Sequence, residues 1–154
     1  MKFAMVVSQF NPEVTAGLVE GAKAYLIEKG ITPHPEDFYP APGAFEIPLI
    51  AQSLARLKKY SGVICLGCVI KGDTAHFEFI SLGATLGIME SMLKTETPIA
   101  FGVLTTYTDE QALVRSRSDA HNMAHNKGRE AAAACFETAQ TLTQIARLAR
   151  EMNS

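Results

Sequence analysis

Three observations predict an α/β chain built on a four-stranded parallel sheet with helices on both faces. Short continuous apolar runs alternate with stretches whose apolar residues recur at helical spacing. The segments joining successive runs are long enough for parallel crossover connections. At 154 residues, with 47% hydrophobic and 19% charged residues, residues 1–154 can form one domain with a core of useful size.

The elements follow in order. Lys2 to Ser8 is a short apolar run closed by the polar breakers Gln9, Asn11 and Pro12, which suits a buried strand. Thr15, Leu18, Val19, Ala22, Tyr25 and Leu26 then trace the inner face of a helix, and Lys29-Gly30 supplies its C-terminal stop. Pro33 and Pro35 lead to an extended piece, Asp37 to Ala41, and Pro42-Gly43 makes a turn. A second helix carries Ile47, Ile50, Ala51, Leu54 and Leu57 on one stripe. Gly62 to Ile70 is apolar throughout and rich in β-branched residues, as expected of a strand covered on both faces. After the loop Lys71 to Thr74, His76 through Leu93 forms a third helix whose apolar residues spread nearly all round it, a pattern that asks for burial on more than one side. Pro98 to Leu104 is the fourth strand, Thr108 to Gln111 has capping-box spacing, and an Ala-rich helix runs from about Lys127 to Leu148. Together these describe a flavodoxin-like three-layer sandwich.

The formal net charge is −2, so no broad electropositive face is available for nucleic acid. No segment has the length and apolarity of a membrane span, and Phe3 to Val7 is too short for a secretory core, so the expected location is cytoplasmic. Cys65 and Cys68 form a C-x-x-C inside the third strand. Residues three apart on a strand point to opposite faces, which predicts core packing in place of a redox pair.

In sheets of this kind ligands bind beyond the carboxyl ends of the strands. Those ends are Gln9-Phe10-Asn11, Pro42 to Glu46, Lys71 to His76 and Thr105-Thr106. Phe10, between polar residues, suits stacking on a flat heterocycle. Glu46 could accept hydrogen bonds from hydroxyl groups or simply sit at a helix N-terminus. Gly72, Asp73 and Thr74 precede a helix and could turn backbone N–H groups and a hydroxyl toward an anion, although an ordinary turn has the same composition. His76 begins that helix and could move protons near neutral pH or serve as a structural histidine. Arg115 and Arg117 carry guanidinium groups suited to a phosphate dianion. His121 and His125 stand four apart, as on a metal-binding helix face, but lack the further ligands a zinc site needs, so no metal is expected.

Taken together, these segments resemble the lumazine synthase family over nearly the whole chain and in the same order. The resemblance is carried by Phe10-Asn11, Pro42-Gly-Ala-Phe-Glu-Ile-Pro48, Gly67-Cys-Val-Ile-Lys-Gly-Asp-Thr-Ala-His-Phe-Glu78, Phe101-Gly-Val-Leu-Thr105, Glu110-Gln-Ala112 with Arg115, and Asn126-Lys-Gly128. It implies an enzyme of riboflavin biosynthesis that joins a ribitylaminouracil to dihydroxybutanone phosphate. By the same resemblance Phe10 stacks on the pyrimidine ring, Ala44 and Glu46 hold the ribityl chain, Val69 and Ile70 line the ring pocket, and Asn11 and Phe45 belong to the same substrate-binding set. Gly72, Asp73 and Thr74 cradle phosphate with Arg115, while Phe101, Arg115 and Lys127 reach the site from a neighbouring subunit. His76 matches the proton-transfer histidine. No metal, nucleotide or redox cofactor is implied, and the expected partner is the chain itself, as a homopentamer in preference to a shell of twelve pentamers.

Three departures accompany the likeness. Gln9 and Lys71 stand where arginine is common. Between Arg115 and Asn126 the chain is longer by about four residues than the common bacterial connection, which is similar to the fungal form and which surface loops tolerate. That length leaves Arg115 and Arg117 both available as the phosphate ligand, with Glu110-Gln-Ala112 favouring Arg115.

Overall fold

The four apolar runs lie side by side and parallel in the computed structural model, which describes residues 1–154. In chain order the elements are β1 (Phe3–Ser8), α1 (Pro12–Glu28), β2 (Phe38–Ala41), α2 (Ile47–Arg56), β3 (Gly62–Ile70), α3 (His76–Thr95), β4 (Ile99–Thr106), α4 (Asp109–Arg115) and α5 (Lys127–Met152). The sheet order is β2-β1-β3-β4, the predicted flavodoxin-like arrangement. Met5 pairs with Phe38, Phe3 with Gly62, and Val63 with Ile99.

The two-residue period of the strands divides the core into two layers. Phe3 and Met5 of β1 and Ile64, Leu66 and Cys68 of β3 face a cluster completed by Leu18, Tyr25 and Leu26 of α1 and by Ala132 and Cys135 of α5. Ala4 and Val6, with Val63 and Cys65, face the opposite cluster, closed by Ile47, Ala51 and Leu54 of α2 and Ala84 and Ile88 of α3. Cys65 and Cys68 therefore enter different layers and are free thiols. Burial raises all three cysteines, Cys68 to about 11 and Cys135 to about 12, which leaves them protonated and inert at neutral pH.

The boundaries differ from the expectation where long-range contacts intervene. β4 continues two residues past Leu104 because Thr105 and Thr106 still find partners in Val69 and Ile70. Asp37 closes a single 3₁₀ turn and does not begin β2. Its buried carboxylate accepts from the His34 backbone N–H (3.2 Å) and the Tyr60 hydroxyl (3.1 Å) and pairs with Lys2 Nζ (3.2 Å). The last helix extends to Met152, four residues beyond the expected end.

α3 buries only Ala84, Ile88, Ser91 and Thr95 within the chain. Phe79, Leu82, Leu86, Met89 and Leu93 are exposed, in alternating steps of three and four residues along one stripe. A row of five large apolar side chains open to water is the pattern of an unfilled contact surface. No helix is long and apolar enough to cross a membrane.

Candidate active site

The exit of β1 sets the first part of the site. Asn11 adopts a left-handed backbone (φ 54°), a conformation that asparagine tolerates better than most residues. Its side-chain amide donates to the Cys68 carbonyl oxygen (3.1 Å), tying the β1 exit to β3. This turn leaves Phe10 exposed at the sheet edge, with 66% of its surface accessible. Gly43 is what allows the next turn to approach: a Cβ there would lie 3.2 Å from Glu46 Oε2 and 3.3 Å from the Phe10 ring. The missing side chain brings ring and carboxylate to the same spot.

Ala44–Glu46 form one 3₁₀ turn that runs into α2, with Pro48 in its first turn where a missing N–H costs nothing. β3 ends at Val69 and Ile70, and a short loop leads to His76, the first residue of α3. The Thr74 hydroxyl oxygen accepts the His76 backbone N–H (3.3 Å), a local bond that fixes the loop just ahead of the helix.

These exits enclose a cleft of about 460 Å³, within the size range of small-molecule sites. Of the predicted residues it unites Phe10 and Asn11 from β1, Ala44, Phe45 and Glu46 from the turn before α2, Val69 and Ile70 from β3, and His76 from α3. Gly43, Cys68 and Ile80 also line it and were not predicted. Ile80 lies one helical turn after His76, so helix periodicity from that residue could have found it. Cys68 shares a face of β3 with the buried Leu66 and is itself buried, and only the tertiary structure shows its edge at the cleft.

Phe101, Arg115 and Lys127 are not part of this cleft. They meet in a second one, of about 490 Å³, between the outer strand β4 and the start of α5. There the Arg115 Nη1 donates to the Gln111 carbonyl oxygen (3.0 Å), and Lys127 Nζ pairs with Glu130 Oε2 (2.8 Å). Arg117 lies outside both clefts, which separates the two candidate arginines. Gly72, Asp73 and Thr74 line neither cleft; they form the exposed loop between β3 and α3.

His121 and His125 do not share a helix face. His121 sits in a turn and His125 ends a 3₁₀ turn. No group of three or more His, Cys, Asp or Glu side chains is placed to hold a metal.

A family model described as 6,7-dimethyl-8-ribityllumazine synthase matches residues 1–143. The chain is 64% identical over 144 residues to the 6,7-dimethyl-8-ribityllumazine synthase 1 of Caulobacter vibrioides, covering 94% of this chain and 92% of that protein. It is 46% identical to the 6,7-dimethyl-8-ribityllumazine synthases of Deinococcus deserti, over 94% of this chain and 90% of that protein, and of Deinococcus radiodurans, over 96% and 92%. On the strength of the model match and of identities that run nearly from end to end, the chain belongs to the 6,7-dimethyl-8-ribityllumazine synthase family.

Proposed function

We propose that this chain condenses 5-amino-6-(D-ribitylamino)uracil with 3,4-dihydroxy-2-butanone 4-phosphate, giving 6,7-dimethyl-8-ribityllumazine, water and phosphate for riboflavin biosynthesis. The observation that carries the reading is the convergence of an exposed aromatic ring, a carboxylate and a histidine on one cleft of suitable size. Phe10 stacks on the pyrimidine, Glu46 accepts from ribityl hydroxyls, and the Val69 and Ile70 backbone lines the ring. Asn11 braces the turn that carries Phe10, and Ala44 and Phe45 flank the ribityl chain.

The amine of the uracil attacks the ketone carbon, and the resulting carbinolamine loses water to form an imine. Phosphate is then eliminated, and the second nitrogen closes the ring with loss of another water. Each step moves a proton or releases a small group, so the residues required are an acid/base and an anion site. His76 supplies the first, a contribution typically of about a hundred- to ten-thousandfold in rate. Alignment of two bound substrates supplies much of the remainder. Gly72, Asp73 and Thr74 contribute N–H groups and a hydroxyl to the phosphate from the exposed loop ahead of α3.

The remaining phosphate contacts come from a neighbouring copy. Phe101, Arg115 and Lys127 occupy a separate cleft on the same chain, so a head-to-tail assembly that sets the second cleft of one subunit against the first cleft of the next completes the site. The exposed apolar stripe of α3 supports such a ring by offering it a surface to bury. The assembly is a homopentamer of single-domain subunits, residues 1–154, acting in the cytoplasm. The long connection between Arg115 and Asn126 favours the pentamer over a closed shell by obstructing contact between rings.

Incubating the pure protein with both substrates and following the fluorescent lumazine tests the activity directly. No product from folded, assembled protein overturns the reading.

A further inference from the structure

Asn126 is wholly buried, yet it belongs to neither cleft. Its side-chain oxygen accepts the Arg129 backbone N–H (3.0 Å), which is an ordinary cap at the start of α5. Its side-chain nitrogen does something else. It donates to the carbonyl oxygens of Gly17 (2.9 Å), Ser116 (3.2 Å) and Arg117 (3.0 Å), three acceptors sharing the two hydrogens of one amide. Ser116 and Arg117 directly follow Arg115, and Lys127 directly follows Asn126. One side chain thus joins the backbone just after Arg115 to the backbone just before Lys127.

The glycines around this junction are fitted to it. A Cβ on Gly21 would collide with the Asn126 amide, one on Gly17 with the Ser116 carbonyl oxygen, and one on Gly128 with the Leu18 carbonyl oxygen. α1 therefore presents bare backbone to the junction. The bond to Ser116 is fully buried, so removing the amide would leave that carbonyl without this donor and away from water.

We propose that Asn126 is a positioning residue for Arg115 and Lys127: its amide locks the end of α4 to the start of α5, so that both cations face one phosphate. The proposal rests on the reading of the second cleft as the neighbour's half of the phosphate site. It also explains how the connection from 116 to 125 can be long without disturbing that half: both of its ends are held by the same side chain, and the added residues lie between them.

Asn126→Asp separates the two roles, because a carboxylate still caps the Arg129 N–H but cannot donate to the three carbonyls. Inorganic phosphate is titrated calorimetrically into the assembled protein, unmodified and carrying Asn126→Asp, Arg115→Ala or both changes. Asn126→Asp weakens phosphate binding about tenfold when Arg115 is present and less than about twofold when it is absent, since residues that act through one another are not additive. In turnover, the KM of the phosphate substrate rises by the same factor while that of the ribityl partner holds. Equal weakening in both backgrounds, or a loss shared by both substrates, makes Asn126 a general stabilising residue and overturns the proposal. An Arg115→Ala protein with undiminished phosphate affinity overturns the assignment of the cleft and the proposal with it. Protein that binds phosphate in the expected pattern but forms no lumazine defeats the assigned reaction and leaves the clamp standing. If the aspartate variant does not fold, Asn126→Ser, which keeps a capping oxygen and lacks the amide, carries the same comparison.

Discussion

Subunits bearing His76→Ala and subunits bearing Arg115→Ala should restore each other when mixed. The two residues line different clefts of one chain, so a composite site takes His76 from one subunit and Arg115 from the next. In an equal mixture that reassembles at random, half of the first clefts retain His76, and half of the neighbouring second clefts retain Arg115. About a quarter of the sites are then intact. Each parent alone is weak: loss of the acid/base lowers the rate by about a hundredfold or more, and loss of a charge-assisted contact worth about 1.5–3 kcal/mol lowers it by about ten- to a hundredfold below KM. A rise to about a quarter of normal activity therefore stands well above either parent. The assay is lumazine fluorescence at low phosphate-substrate concentration, after joint unfolding and reassembly, with native mass spectrometry to verify mixed rings. Verified mixed rings with no recovery would put both residues in one site of one subunit and refute the reasoning.

Arg115→Ala should weaken use of the phosphate substrate by about ten- to a hundredfold and leave ribityl binding intact, with a smaller effect for Arg117→Ala; a larger loss at Arg117, measured as KM for each substrate, reverses the assignment. The buried thiols should resist thiol reagents in the folded protein at pH 8 and react after unfolding. Their folded values, raised to about 11 for Cys68 and about 12 for Cys135 against the ordinary 9.0, mean that the unfolded chain loses these protons first. Stability is then intact below about pH 9 and falls as pH rises toward 11–12, which thermal unfolding across that range would show. Activity should survive prolonged chelation; loss on chelation that zinc restores would establish a metal requirement. Light scattering should report a particle of pentamer size, and a megadalton particle would indicate shell assembly.

Much of this molecule is written locally. A strand or a crossover helix declares itself over six to twenty residues, because the side-chain periods of two and 3.6 repeat within that span. The same period sent Cys65 and Cys68 to opposite layers before any coordinates were needed. Since parallel crossovers bring all strand ends to one edge of the sheet, Phe10, Glu46 and His76 could be grouped in advance, and family resemblance supplied their roles. Asp37 shows the limit. It was expected in a strand because its neighbours are extended, but its carboxylate answers to Lys2 and Tyr60, residues no local pattern connects to it.

The chain order therefore determined which elements form and which residues reach the binding edge. The tertiary structure alone decided how those residues divide between two clefts, that Arg115 lines one and Arg117 none, and that Asn126 joins Gly17 to the end of α4 across 109 positions of sequence. The reason is that sheet order and helix docking are set by contacts between distant segments. Successive elements such as α3 and β4 line different clefts, while the start of α5 closes on α1, where Gly21 of α1 and Gly128 of α5 leave room for the approach.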